Sequence, residues 1–281
     1  MKKVCVLLLL CLVGVTAFAQ KGYKKAYTLF DANGKEIGYD ELVAALAQPD
    51  VVFIGEIHNC CITHWLEYEL ARSLYAIHKD KLMMGAEMLE ADNQLILDEY
   101  MQRQISYDHF EAEARLWDNY NTDYYPVVFF AKEHGIPFVA TNIPRRYANS
   151  VKNKGIEVLD SLSDEAKRYI APLPVPFEYN EKESEAAFSM MNMLGGKQSG
   201  DNRKLAQAQA VKDATMGWFI ARNMKSKFLH FNGNYHSDFQ GGIIPYLLQY
   251  RPGTTIKTVC SVRQESIGQL DEENKGRADF Y

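Results

Sequence analysis

Cysteine is scarce in this chain of 281 residues. It has 5, of which Cys5 and Cys11 fall in an apolar leader, and the remaining Cys60, Cys61 and Cys260 are odd in number. That count excludes a fully paired disulfide framework within one chain. A bridge between the adjacent Cys60 and Cys61 would be strained, so free thiols are expected. No Cys-x-x-Cys pairs accompany them, which removes zinc-finger spacing. Positive charge is in short supply too: 31 Lys and Arg stand against 36 Asp and Glu, for a net charge of −5. Loss of Lys2 and Lys3 with the leader makes the balance more acidic, which argues against nucleic acid as partner. Beyond the leader there is no apolar run of about 18 residues, so a soluble mature protein is expected. A Gly-x-Ser-x-Gly elbow is missing, which speaks against a serine nucleophile. No internal repeat is visible.

The leader has a distinct anatomy. Lys2 and Lys3 precede an apolar run from Val4 to Val15, and Ala17-Phe18-Ala19 follows before Gln20. This pattern reads as a secretory signal peptide over residues 1–19, cleaved after Ala19, and implies an exported, periplasmic or outer-membrane-associated protein. Leu8, Leu9 and Leu10 before Cys11 argue against a lipoprotein site, which wants small residues there. Residues 20–281 then form a single domain.

Apolar runs bounded by polar residues place the strands. Val51 to Ile54 is apolar without alternation, the mark of a strand covered on both faces, and it ends abruptly in Gly55-Glu56-Ile57-His58-Asn59. Further strands are expected at Leu82 to Met88, Pro137 to Ile143, Lys227 to Asn232 and Thr255 to Val262. Before them, Asn33-Gly34 predicts a tight hairpin, and Asp40 caps a short helix over Glu41 to Ala47. Leu66, Leu70, Leu74 and Ile77 recur at helical spacing, and further helices are expected near Asp92 to Arg103, Tyr107 to Leu116 and Asp123 to His134. Strands alternating with helices define an α/β fold: a mainly parallel central sheet with helices on both faces. The interval 159–222, with Pro172, Pro174, Pro176 and a linker from Gly195 to Gly200, breaks this rhythm. It is expected to be a helical insertion over the carboxyl edge of the sheet. Met190, Met191 and Met193 within it are expected to pack a core rather than to ligate a metal.

Chemistry-bearing residues gather at the strand ends. Glu56 and His58 follow the first strand, Glu87 ends the second, Asn142, Arg145 and Arg146 follow the third, and Asn234 and His236 follow the fourth. In open α/β sheets ligands bind in the crevice outside the carboxyl ends of the strands. Two imidazoles and two carboxylates in one crevice suit a divalent metal held by His58, Glu87 and His236, or acid–base chemistry by Glu56, His58, Glu87 and His236. Each of these residues has a purely structural alternative as a hydrogen-bonded turn residue.

The ordered series of these motifs resembles one known family. It consists of Gly55-Glu56-Ile57-His58-Asn59 with His64, Glu87-Met88 with Gln94, Trp117 with Tyr125-Pro126, Ala140-Thr141-Asn142, Gln209 with Asp213 and Met216, and Gly233-Asn234-Tyr235-His236 with Gly242-Ile243-Ile244-Pro245. Over about Leu42 to Ser261 the chain resembles the ChaN-like haem-binding uptake family, related to the Tiki proteases and erythromycin esterases. The resemblance implies an exported α/β/α domain that binds haem for iron acquisition, with a tyrosine on the iron and subunits pairing around the haem. It also implies partners among outer-membrane haem transport components. Tyr125, at the family's Tyr-Pro position, is the first choice of ligand and Tyr147 the second. Trp117 and His64 are expected at the haem, with Arg145 and Arg146 receiving its propionates. The erythromycin esterase and Tiki relatives keep a second reading open, a metal-dependent hydrolase with esterase or peptidase activity.

Overall fold

A computed structural model describes residues 24–181 and 201–281. The expected signal peptide, the methionines at 190, 191 and 193 and the linker at 195–200 lie outside the described residues. A small antiparallel hairpin, β1 (Leu29–Phe30) with β2 (Glu36–Ile37), turns at Asn33-Gly34 as the dipeptide predicts. The main sheet contains β3 (Val51–Glu56), β4 (Leu82–Glu90), β5 (Phe138–Asn142), β6 (Lys227–Gly233) and β7 (Ile256–Cys260). All pairings in it are parallel, in the order β5-β4-β6-β3-β7.

Helices cover both faces, as a parallel sheet requires. On one side Val52, Ile54, Met84, Ala86, Leu229 and Phe231 meet α1 (Tyr39–Leu46), α2 (Cys61–His78), α3 (Gln94–Met101), α4 (Tyr107–Glu113) and α5 (Tyr125–Glu133). Leu70 and Leu74 of α2 and Val128 of α5 are fully buried there, each contributing about 1.5–3 kcal/mol by burial. On the other side Val51, Phe53, Met83, Val139 and Phe228 meet α8 (Asn202–Asn223) and α9 (Ile243–Tyr250). A third apolar cluster, around Ile143, Val151 and Val211, takes in α6 (Arg145–Lys154), and the short α7 (Asp164–Lys167) follows α6 in the chain. The described part of the 159–222 segment is helical or irregular. Its long helix α8 does more than cover an edge: Met216, Phe219 and Ile220 pack against the sheet face itself.

One helix departs from its expected form. The helix expected from Asp123 begins as a π-helical turn, Tyr120–Tyr124, and becomes α-helical at Tyr125. Pro126 has no N–H to offer the preceding turn, so the chain enters α5 through a wider coil. That wider turn brings Asp123 and Tyr124 round to the end of β3.

Candidate functional site

The sheet order sets side by side the ends of three strands that are far apart in sequence. β6 lies between β3 and β4, with Glu56 opposite Gly233 and Ala86 opposite Phe231. Past their carboxyl ends opens a cleft of about 520 Å³. Glu56, His58, Glu87, Trp117, Asn142, Arg145, Gln209, Lys212, Tyr235 and His236 are among its lining residues. The expected meeting of His58, Glu87 and His236 in one crevice is thus what the fold produces. Gly233 makes it possible: a Cβ there would lie 2.8 Å from both Cε1 and Nε2 of His58, so only glycine lets the ring lie across the strand end.

Alternation along the strands sends the two glutamates to opposite faces. Glu87 points toward α8, where its Oε2 accepts a hydrogen bond from the Gly233 amide at 2.8 Å and its Oε1 lies 3.2 Å from Nε2 of His236. The other ring nitrogen of His236, Nδ1, lies 2.5 Å from Asp213 Oδ1. Burial by itself would lower the His236 pKa, but the charges of Glu87 and Asp213 outweigh it and hold the imidazolium up to about 10. Although burial acts against it, the Glu87 carboxyl is held well below its usual range by His236 and then His58. A cation clamped between two carboxylates, all buried, is a closed unit.

Glu56 points the other way, toward α2 and the π-helical turn. Its Oε1 accepts from Tyr124 Oη at 2.7 Å and lies 2.5 Å from His58 Nδ1. Burial works against the charged His58, yet the bond to Glu56 and the charge of Glu87 raise its pKa. Beneath, His64 Nδ1 lies 2.9 Å from Glu67 Oε2 and 3.7 Å from Glu56 Oε2. His64 Nε2 meets the His58 carbonyl at 3.1 Å and Asp123 Oδ2 at 3.5 Å. Burial, reinforced by the charge of Glu56, pushes the Glu67 carboxyl well above its usual range. A buried neutral histidine, His230, stands at the centre of the sheet between Thr141 Oγ1 at 2.8 Å and Asn232 Oδ1 at 3.0 Å. Burial takes its pKa down to about 4, and it carries no charge into the site.

The structure sorts the expected ligands differently from the sequence. The expected metal set of His58, Glu87 and His236 shares the cleft, but both nitrogens of His236 are occupied by carboxylates. Among the described residues, the donors close enough to share one ion are those of Glu56, His64 and Glu67. Tyr125 does not line the cleft: its ring packs on Tyr107 at 4.8 Å and stacks on Phe129 at 5.4 Å, on the outer side of α5. Tyr147 does not line it either, and its hydroxyl accepts from Arg146. Arg146 is held by Asp92 at 2.5 Å and lies over the Tyr147 ring, turned from the cleft, whereas Arg145 lines it. Trp117 lines the cleft edge-on to His58, with ring centroids 4.9 Å apart. His64 is buried behind Glu56 rather than on the wall. Sequence reading gave no role to Tyr235 on the wall, to Lys212, or to Glu67 and Tyr124 behind it. Glu67 was legible only as the residue at i+3 from His64 on a helix, a spacing that puts both on one face.

Comparison with known proteins gives the family and a shared fold. Residues 42–247 match the family described as haem-binding uptake, Tiki superfamily, ChaN, and the chain belongs to that family. Among solved structures, a ChaN of Campylobacter jejuni described as binding haem cofacially superposes with a TM-score of 0.69 at 18% identity, covering 90% of this chain and 95% of that one. That likeness establishes a shared fold. An erythromycin esterase mutant in its open conformation matches at 14% identity and a TM-score of 0.47, over 90% of this chain and 82% of its own. None of the curated proteins is a match in sequence.

Proposed function

We propose that this protein binds haem in the cleft at the carboxyl edge of the sheet and serves iron acquisition outside the cytoplasm, with a tyrosine on the iron. One observation carries the reading: the family match spans 42–247, and every residue lining the cleft falls within it. The lining fits such a group. Trp117, Tyr235, Ile57 and Ile143 offer aromatic and aliphatic surface, and Arg145 and Lys212 offer cations to two propionates. Tyr235 is the tyrosine on the cleft wall, and a phenolate oxygen there would suit ferric iron. Bound haem would supply the iron that is carried, and the chain's part is to hold it and to exclude water from one face. Export by a cleaved leader over residues 1–19, pairing of subunits around the haem, and exchange of haem with outer-membrane transport components complete the proposal.

Titration of the purified protein with haemin should give a saturable Soret shift. Tyr235→Phe should weaken binding by about tenfold or more, equivalent to about 1.4 kcal/mol, while Tyr125→Ala should leave it unchanged. A Soret response no stronger than that of an unrelated acidic protein would overturn the reading. Sedimentation with and without haemin tests the pairing.

A second reading, hydrolysis, is favoured by one feature: the half-exposed His58 is hydrogen-bonded to the buried Glu56 and presents its other nitrogen to the cleft, the arrangement of an oriented general base. It requires activity on esters, amides or peptides that His58→Ala abolishes.

A further inference from the structure

Behind the cleft wall, two buried carboxylates and an imidazole nitrogen face one another, and two of the carboxylate oxygens have no partner. His64 Nε2 meets the backbone carbonyl of His58 at 3.1 Å, and a carbonyl can only accept, so that nitrogen carries the hydrogen. The other ring nitrogen, Nδ1, faces Glu67 Oε2, 2.9 Å away, and Glu56 Oε2, 3.7 Å away. Both carboxylates are almost wholly buried, at 2% exposure for Glu56 and 3% for Glu67. Glu56 Oε2 and Glu67 Oε1 have no hydrogen-bond partner at all. No ion pair to Lys or Arg is seen for either glutamate among the described residues. Two buried carboxyl groups so placed are costly unless a proton or a metal ion sits between them.

We propose that Glu56, His64 and Glu67 form a binding site for a divalent transition ion, Zn²⁺ or Mn²⁺, behind the wall of the cleft. The three donor atoms lie within 4.8 Å of one another, near enough to close on one ion by small side-chain movements. Two carboxylate oxygens and an imidazole nitrogen suit these borderline to hard cations rather than copper(I), which prefers sulfur. A doubly charged ion balances the two carboxylates.

The surroundings are those of a supported site. The His58 carbonyl and Asp123, 3.5 Å from His64 Nε2, fix the ring and its tautomer, and the Tyr124 hydroxyl anchors Glu56 through Oε1. A cavity of about 10 Å³ lined by Glu67, Asp123 and Tyr124 adjoins the trio, room for one water-sized further ligand. Glu56 itself lines the cleft, which gives an ion a way in. The ion would tie the end of β3 to α2, and through Tyr124 to the π-helical turn. The inference stands apart from the haem reading, since His64 and Glu67 do not line the cleft and the proposed haem contacts involve none of the three residues.

The test uses haem-free full chain, dialysed against a chelator and titrated separately with Zn²⁺ and Mn²⁺. Wild type should take up one equivalent of at least one of them with a rise in melting temperature, as binding to the native state alone requires. Glu67→Gln should lose at least about a hundredfold in affinity, a larger loss than changes to residues that only hydrogen-bond the ligands give, and Glu87→Gln should retain uptake. No stoichiometric uptake by wild type, or any other pattern between the two variants, overturns the proposal. Should Glu67→Gln not fold, imidazole ¹⁵N spectra of the wild type decide: the ion must shift Nδ1 of His64, and a shift confined to His58 or His236 refutes the site.

Discussion

Two polar clusters flank the carboxyl edge of the same sheet, one strand apart, and they are balanced in opposite ways. On the α8 side, Glu87 and Asp213 bracket His236, and Glu87 also takes the Gly233 amide, so both carboxylates face a donor. On the α2 side, Glu56, Glu67 and Asp123 surround His64, and two carboxylate oxygens have no donor. The first cluster pairs its carboxylates with the protein's own donors, while the second leaves two buried carboxylate oxygens open to a cation. Like residue types thus give a structural clamp in one place and a ligand site in the other, because what matters is the ratio of donors to acceptors after burial.

The comparison can be broken by experiment. The largest effect should come from His236→Ala, which leaves Glu87 and Asp213 buried without their cation and should cost about 3–5 kcal/mol in urea unfolding. An equal loss from His64→Ala in metal-free protein would show that the two clusters are alike after all. The pH dependence follows next. The folded His236 keeps its proton up to about pH 10, whereas the unfolded histidine loses it near 6.5. The native state binds more protons in that window, so the contribution of His236 is fully present below pH 6.5 and is lost on raising pH toward 10, by at most about 1.4 kcal/mol per unit. Urea midpoints from pH 6 to 10 should fall in wild type and stay flatter in His236→Gln.

Gly233→Ala sharpens the boundary between the clusters, because the added methyl meets the His58 ring at 2.8 Å. Overpacking of this kind costs about 1–3 kcal/mol, and displacement of His58 should show in its imidazole NMR signals. The smallest effect is expected from Tyr124→Phe, which removes one hydrogen bond to Glu56 and should lower stability by about 0.5–1.5 kcal/mol. In metal-loaded protein the same variant should lose less, since the ion continues to hold Glu56.

Part of this site was legible without coordinates. The abrupt change from Val51-Val52-Phe53-Ile54 to Gly55-Glu56-Ile57-His58 announced a buried strand and a functional end, and Glu87 and His236 carried the same signature. Tyr125, within its aromatic cluster, does not reach the cleft, because density of aromatics along the chain does not reveal which way a helix turns. α5 buries Val127, Val128 and Phe130, leaves Phe129 at the surface and sets Tyr125 beside it, away from the cleft. Arg145 and Arg146 are adjacent in sequence, yet only Arg145 lines the cleft, since consecutive helical residues point about a quarter-turn apart.

By itself the sequence determined the parallel α/β architecture, the strands and the polar residues at their ends, because burial on both faces writes a mainly apolar run into the strands, unbroken over Val51 to Ile54. Tertiary structure alone decided that β6 lies between β3 and β4, that Glu56 and Glu87 diverge to opposite faces, and that Glu67 and Tyr124 stand behind the wall. Strand order and the pairing of distant side chains depend on how the layers pack, and no local pattern of residues encodes that choice.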